Sequence, residues 1–274
     1  MMSATHFKYR LAGHTLVELM VAIVIALFLM AGLVSLVMRT RNTSTTQTQI
    51  EQLQESERIA LTVLTNVIQQ AGYYPDPRSN SASALLPAGS IAAGSDSLSF
   101  AAGQVLAGAT HAAAPGDVIV ARFAAPQNDG TASSPGPIAN TIINCAGSVN
   151  TDTANIHSYT NLFRVATAAD GKTYLQCILK DGAAAPAPAV NLVPGLYQMQ
   201  VFYLVNSGGA PTYVQDPSGI NWNDVAAVKI RLYFELPQLG LSGGQPNSAA
   251  TSAAVTNQKQ YVERVISLMN PAGA

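Results

Sequence analysis

The sequence has few of the residues from which catalytic and metal centres are built. It contains two cysteines, Cys145 and Cys177, and no CxxC pair, so it offers too few soft ligands for a zinc or iron–sulfur site. Two of its four histidines, His6 and His14, lie at the extreme N-terminus. No P-loop, dinucleotide fingerprint or HExxH motif occurs. The sequence therefore predicts a protein that is not an enzyme and that needs no cofactor or metal ion.

Charged residues are also scarce. They make up 11 % of the 274 residues, whereas apolar residues make up 48 %. Such a composition excludes disorder throughout the chain and allows one large domain or two small ones. The net charge of −1 gives no electrostatic reason to expect nucleic acid as the main partner. A local DNA-binding or surface-binding patch within this neutral total is left open.

One charged residue, Glu18, lies within the apolar run over residues 15–38, TLVELMVAIVIALFLMAGLVSLVM. As a helix this run is about 36 Å long, enough to cross a hydrocarbon layer of about 30 Å. The apolar region of a secretory signal peptide is shorter, about 7–15 residues, and ends at an A-x-A-like cleavage site that is missing here. An uncleaved membrane anchor remains an alternative that hydropathy alone does not exclude.

A glycine and a glutamate mark the start of this run. Gly13 separates the basic leader MMSATHFKYRLAG from the apolar residues, and Glu18 lies five residues further on. A carboxylate in a membrane helix costs about 2–3 kcal/mol even on a lenient insertion scale, so it usually has a partner or a function. The segment GHTLVEL, residues 13–19, resembles the type III signal of type IV prepilins, except that His14 replaces the usual phenylalanine.

This resemblance implies how the N-terminus matures. Prepilin peptidase would cleave between Gly13 and His14 and methylate the new N-terminal amine of His14. Glu18 would be the assembly carboxylate, which meets the N-terminal amine of a neighbouring subunit as the helices bundle in a filament.

The helical pattern continues beyond the apolar run. No proline occurs in residues 14–72, and Gly72 before Tyr73-Tyr74-Pro75 is a stop signal. A single helix over 14–72 would be about 90 Å long. The polar stretch at 42–48 has poor helix propensity and predicts softening or a bend. The predicted distal apolar stripe consists of Ile50, Leu53, Ala60, Leu64, Val67, Ile68 and Ala71.

From Tyr73 onward the pattern changes to period-two segments between loops rich in Ala, Gly, Pro, Ser and Asn. The strongest predicted strands are 196–205 and 225–236, and in the second Ala226, Val228, Ile230, Leu232, Phe234 and Leu236 are assigned to the buried face. A hairpin is predicted around Asp170-Gly171. Weaker strands are predicted at 97–101, 117–124, 139–145 and 260–268. The sequence thus predicts an α+β fold, in which the distal half of a long membrane-spanning N-terminal helix packs on an antiparallel β-sheet head.

The polar residues of this head carry weak functional signals. His111 and His157 lie in polar, loop-like sequence and are predicted to be surface histidines. The segment 216–224, DPSGINWND, has oxygen ligands for calcium but lacks the spacing of a known calcium loop, so a turn-rich connection is favoured. Lys229 and Arg231 share one strand face, where either a solvated surface or a phosphate contact explains them. Trp222 is predicted to pack at the start of its strand.

Three further segments resemble the PilW-type minor pilins of type IV pili: GLYQMQVFYLV, NWNDVAAVKIRLYFEL and KQYVERVISLMNP, all within 195–271. The resemblance implies a leader at 1–13, a pilin helix at 14–72 and a periplasmic or extracellular head at 73–274. It also implies a non-catalytic subunit at or near the filament tip that helps to initiate assembly. The nearest alternatives are a type II secretion pseudopilin and a membrane-anchored periplasmic binding or adhesion domain.

The partners and location follow from the same resemblance. The chain would sit in the inner membrane lipid as a single-pass protein with its head in the periplasm, and then move to the surface pilus. Its partners would be other minor pilins, the major pilin, prepilin peptidase and the inner-membrane assembly platform. Because such a head lies in an oxidising compartment, a disulfide between Cys145 and Cys177 is favoured over a buried thiol.

Overall fold

The computed structural model describes residues 16–93, 96–128, 142–235 and 259–269. These residues form two compact units, 16–50 and the part from residue 51 onward. The helices are α1 (Leu16–Gln69) and α2 (Ala82–Leu85), and a 3-10 turn covers Trp222–Asp224. The strands are β1 (Gly89–Ala93), β2 (Asp96–Phe100), β3 (Leu106–Ala109), β4 (Val118–Ala125), β5 (His157–Thr167), β6 (Thr173–Asp181), β7 (Val190–Pro194), β8 (Leu196–Val205), β9 (Thr212–Val214), β10 (Val225–Glu235) and β11 (Lys259–Ser267).

Helix α1 is a single segment of 54 residues. It runs through the stretch at 42–48, where the sequence predicts softening or a bend. There the hydroxyls of Thr43, Thr45 and Thr48 donate to the carbonyl four residues earlier, at 3.0–3.1 Å. Because these hydroxyls are bonded within the helix, they do not compete for backbone groups in other conformations.

The helix ends at the predicted stop signal. Gly72 has a positive φ of 80°, a conformation that glycine adopts without a steric penalty. Its N–H donates to the carbonyl oxygen of Arg122 in β4 at 2.9 Å instead of continuing the helical pattern. The end of α1 is therefore attached directly to a central strand.

The strands form two larger sheets and one hairpin, where the sequence predicted a single sheet. The first sheet has five strands in the order β3-β4-β5-β6-β7, and the second has four in the order β11-β10-β8-β9. All neighbours in both sheets are antiparallel. Strands β1 and β2 pair as a separate hairpin. The periodic pattern located most of these strands but did not contain their spatial order.

One hydrophobic core is shared by α1 and the two larger sheets. Ala60, Leu64, Val67 and Ile68 are at most 2 % exposed and pack among the inward side chains of both sheets. The predicted distal stripe is therefore confirmed over its second half, whereas Ile50 is 41 % exposed. Burial of each of the larger stripe residues stabilises the fold by about 1.5–3 kcal/mol.

The opposite face of the five-stranded sheet is covered by the β1–β2 hairpin. Ile91, Leu98 and Phe100 of the hairpin form a second cluster with Val120 and Leu162 of the sheet. Strand β4 is consequently buried along its whole length. This explains why its sequence, VIVARFAA, is continuously apolar apart from one arginine.

Two local predictions on strands were wrong. Residues 142–145 form no strand, because the Asn144 side chain accepts from the backbone N–H groups of Ala146 and Ser148 and closes a turn. Ala226 is exposed, because the pairing register of β10 shifts between Val225 and Ala227. A shift of one residue turns the preceding side chains to the other face. Residues 139–141 and Leu236 lie outside the described part of the chain.

The two larger sheets are joined at a buried carboxylate. Asp117 is 1 % exposed and precedes β4, while its oxygens accept from Thr110 Oγ1, the His111 N–H and the Val201 N–H, each at 2.8 Å. The backbone N–H of Asp117 donates to the Met199 carbonyl at 2.8 Å. One acidic residue therefore bridges the start of β4 and the middle of β8.

A buried arginine holds the covering hairpin on the sheet. Arg122 of β4 is 1 % exposed, and its guanidinium lies 3.9 Å from the centre of the Phe100 ring. It donates to the carbonyls of Pro87, Gln104 and Ala101 at 2.6, 2.8 and 3.3 Å. Burial lowers the pKa of Arg122 to about 10, so the side chain stays charged at neutral pH.

Replacing this arginine should destabilise the head. In Arg122→Leu the carbonyls of Pro87, Ala101 and Gln104 lose their donor, and an unsatisfied buried carbonyl costs about 1–3 kcal/mol. We expect the free energy of unfolding to fall by more than about 3 kcal/mol. Urea unfolding of the full-length protein in detergent, followed by fluorescence of the single tryptophan, measures this change.

The matched control is Arg78→Leu, which removes an exposed arginine outside the strands. Its free energy of unfolding should stay within about 0.5 kcal/mol of the wild-type value. Equal effects of the two substitutions would contradict the role given to Arg122.

Candidate functional site

The first part of α1 presents an apolar surface. From Leu16 to Met38 every side chain is exposed, including Phe28 at 78 % and Met30 at 67 %. The helix is long and apolar enough to cross a membrane, by length and composition. An uncovered apolar surface of this size is unfavourable in water. The segment therefore suits anchoring in a bilayer or packing among other apolar helices.

Glu18 lies in the first turn of the described helix and is exposed. It is the one charged residue between Leu16 and Met38. Its position places a carboxylate on an apolar helix surface, where a neighbouring cation would lower the cost of its charge. Gly13 and His14, the predicted cleavage and methylation residues, lie outside the described residues, so the structure does not test their roles.

The two cysteines are joined in a disulfide, with their Cα atoms 6.0 Å apart. Cys145 belongs to the turn that Asn144 closes, and Cys177 lies in the middle of β6. Both are buried in the core that α1 shares with the sheets. The Cys145 N–H also donates to Asn161 Oδ1 in β5 at 2.8 Å. The disulfide therefore fastens the 142–148 turn to the five-stranded sheet.

His157, predicted as a surface histidine in loop-like sequence, is partly exposed and belongs to a strand. It starts β5, and its ring lies between two carboxylates: Nδ1 is 2.5 Å from Asp181 Oδ2, and Nε2 is 3.4 Å from Asp152 Oδ2. Partial burial acts to lower the pKa of His157, but the hydrogen bonds with Asp181 and Asp152 outweigh it and raise the pKa above its usual value. Hydrogen bonds from Asn155, Ala154 and His157 lower the pKa of Asp152 to about 2.

The outer face of the four-stranded sheet carries a ladder of cations and aromatic rings. Lys229 Nζ lies 4.4 Å from the Tyr213 ring centre and 4.8 Å from that of Phe202. The Arg231 guanidinium lies near Phe202 and Tyr261, and it is paired with Glu263 at 2.6 Å. Each ring–cation contact contributes about 0.5–1 kcal/mol at such exposure. The ladder therefore ties the four strands together on their solvent side.

The segment 216–224 folds as the turn-rich connection that the sequence favoured. Asp216 Oδ1 accepts from the Ser218 N–H, and Asn221 caps the 3-10 turn before β10. Trp222 packs edge-on against Tyr203 with ring centres 5.1 Å apart. Within the described ranges, no three His, Cys, Asp or Glu side chains are placed to hold a metal ion.

Sequence reasoning missed the buried charges Arg122 and Asp117 and the pairing of His157 with two carboxylates. One signal was present for Arg122, since an arginine inside a continuously apolar strand needs buried acceptors. Another was present for His157, because a hairpin centred on Asp170-Gly171 brings Asp181 near the start of β5.

Comparison with known proteins identifies the N-terminal segment. Residues 10–34 match the prokaryotic N-terminal methylation motif, so the match includes the 13–14 junction and Glu18. No curated protein matches the chain. A type IV-like pilin from Thermus thermophilus is similar in structure, with 16 % identity over 80 % of this chain and 98 % of that one, and a TM-score of 0.41. This likeness is too low to assign the fold, which rests on the described helix and sheets.

The disulfide should contribute measurably to stability. Its cysteines are 32 residues apart, and closing a loop of about this length stabilises a fold by roughly 3–4 kcal/mol in the chain-entropy model. Replacing both cysteines by alanine should lower the free energy of urea unfolding by about this amount. A reducing agent should weaken the wild-type protein and leave the double variant unchanged. Two freely alkylated thiols in wild-type protein from the cell envelope would contradict the pairing.

Proposed function

We propose that the chain is a minor pilin of the PilW type, which is built into a type IV pilus and performs no catalysis. The observation that carries this proposal is the match of residues 10–34 to the N-terminal methylation motif, together with the exposed apolar surface of α1 from Leu16 to Met38. The architecture supports it, since one long helix is followed by antiparallel sheets that bury its distal stripe.

In this proposal, maturation begins at the inner membrane. The apolar part of α1 holds the protein in the lipid, with the head, residues 73–274, in the periplasm. Prepilin peptidase cleaves between Gly13 and His14 and methylates the amine of His14. A periplasmic head agrees with the buried disulfide, because disulfides form and persist in oxidising compartments.

During assembly, other helices would then replace lipid around the apolar part of α1. The exposed apolar face between Leu16 and Met38 offers contacts to the major pilin and to other minor pilins. The inner-membrane assembly platform would lift the subunit out of the bilayer. Glu18 would meet the N-terminal amine of a neighbouring subunit, since pairing two opposite charges lowers the cost of placing each in an apolar surrounding.

The PilW assignment draws support from the arrangement of the three segments on which it is based. They form β8, β10 and β11, which are adjacent in one sheet in the order β11-β10-β8. A resemblance scattered along the sequence therefore corresponds to one continuous structural element. The initiating role and the tip position are the functions that this resemblance implies.

The size of the head favours a position at the tip. A bulky head on a standard pilin helix fits best where no subunit sits above it. Filaments grow from their base, so a tip subunit enters first and is needed in few copies. A type II secretion pseudopilin would carry the same motif, and neighbouring genes for a pilus motor or for a secretion system distinguish the two systems.

The assembly role of Glu18 can be separated from insertion. Glu18→Ala removes a charge and should insert and be processed normally, because an apolar residue only eases insertion. Its amount in sheared filament fractions should fall severalfold, as the amine of the neighbouring subunit loses its partner. Glu51→Ala, which removes an exposed carboxylate beyond the apolar run, is the matched control and should assemble normally. Normal incorporation of the Glu18 variant would refute the assembly role.

Deleting the protein should reduce the number of pili per cell. If it initiates filaments, the remaining pili should have normal length and the major pilin should stay at its normal level. Electron microscopy of a strain blocked in retraction, with and without a complementing copy, gives the count. Wild-type pilus numbers in the deletion strain would rule out initiation and favour an accessory adhesin.

A further inference from the structure

The His157 ring is held between carboxylates from two different elements. Asp181 ends β6, whereas Asp152 belongs to the loop before β5, residues 150–155. The two carboxylates contact opposite nitrogens of the ring, Nδ1 and Nε2. His157 therefore links the 150–155 loop to the end of the β5–β6 hairpin.

The protonation state of the ring decides whether both contacts are hydrogen bonds. A neutral imidazole has one N–H and can donate to one carboxylate, whereas an imidazolium donates to both. The 2.5 Å contact with Asp181 is the shorter, and the 3.4 Å contact with Asp152 is the longer. When the imidazolium loses one of its two N–H protons, the hydrogen bond to Asp152 should therefore break first.

Among the described residues, the charges that act on the pKa of the ring are those of two carboxylates. The titratable and charged groups that face it in the described residues are Asp181 from β6, Asp152 from the loop and Tyr159 from β5, whose ring centre is 6.1 Å away. Both carboxylates favour the protonated ring. The Tyr159 hydroxyl is bonded to Asn144 and so is engaged elsewhere.

The loop has further attachments that depend on Asp152. Asp152 Oδ1 accepts from the Ala154 N–H at 2.8 Å, and its Oδ2 accepts from Asn155 Nδ2 at the same distance. The Asp152 carbonyl accepts from the Asn128 N–H at 2.7 Å. The backbone of Asp152 therefore also contacts the segment that follows β4.

We propose that His157 is a pH-sensitive clasp, which ties the 150–155 loop to the β5–β6 hairpin when the ring is protonated and loosens the loop when it is neutral. The clasp does not depend on the pilus function, because it rests on contacts within the head. It gives the head a surface loop whose order follows the surrounding pH.

The direction of the effect follows from the raised pKa of His157. A group whose pKa is higher in the folded protein stabilises the fold below its unfolded value, 6.5, and this contribution is lost as the pH rises through the folded value. The transition is therefore expected above pH 6.5. Asp152, with its pKa near 2, stays ionised across this range.

Hydrogen exchange of the full-length protein in detergent tests the clasp. Exchange should be measured at several pH values on either side of the His157 transition and corrected for the intrinsic effect of pH on amide exchange. The peptide covering the 150–155 loop should lose protection severalfold as the pH rises, while peptides from β8 and β10 stay protected. A loop whose corrected protection does not change with pH would overturn the proposal.

Three variants separate the clasp from a general effect of pH. His157→Gln should show weak loop protection at every pH, and Asp152→Asn should do the same while keeping the ring. His111→Gln, the control, should retain the wild-type pH profile. If His157→Gln fails to fold, titration of the His157 ring signal by NMR in the wild type and in Asp152→Asn decides the question. A wild-type ring that titrates at or below the ordinary histidine value, or a pH-dependent loop in His157→Gln, would refute the clasp.

Discussion

The apolar side chains of α1 must be buried in two different ways, and the rest of the structure depends on this requirement. Between Ala60 and Ala71 the cover is protein, because both larger sheets place inward side chains against the helix. Between Leu16 and Met38 no described part of the chain buries the side chains. Each Å² of apolar surface left in water costs about 25 cal/mol, so lipid or other helices must supply the second cover. In the proposed pilin, lipid covers the surface of residues 16–38 before assembly, and neighbouring helices cover the same surface in the filament.

Burying the distal helix requires polar groups inside the head. The five-stranded sheet is covered on both faces, so Arg122 and Asp117 lie deep within the protein. Each is satisfied by several hydrogen bonds: Arg122 donates to backbone carbonyls before and after the β1–β2 hairpin, and Asp117 accepts from Val201 of β8 and from donors in the loop that follows β3. Buried charges with such partners specify one arrangement of the segments around them, because any other arrangement would leave the charges without partners. They locate the hairpin and the second sheet relative to the first.

Local patterns predicted the elements of this fold better than their arrangement. The period-two pattern located β8, β10 and the β5–β6 hairpin, and Gly72 marked the end of α1, because these signals lie within a few residues. The bulge at Ala226 shifts the pairing register without changing the composition of the strand, so no sequence pattern predicts it. Strand β9 has only three residues, which is too short for a period-two pattern. The carbonyl acceptors of Arg122 lie in loops before β3 that have no periodic pattern. At the candidate site, the spacing of Gly13, His14 and Glu18 predicts a cleavage site and an assembly carboxylate, whereas the partners of His157 required the hairpin register.

A pilin function requires the N-terminal segment to be a prepilin signal and not an uncleaved anchor. The most direct measurement is the mass of the N-terminal peptide of the membrane-extracted protein, compared between cells with and without prepilin peptidase. For a prepilin signal, the peptide should begin at His14 and carry one methyl group when the peptidase is present, and it should begin at Met1 or Met2 when the peptidase is absent. The same N-terminus in both strains would show that the segment is an uncleaved anchor or is processed by another enzyme.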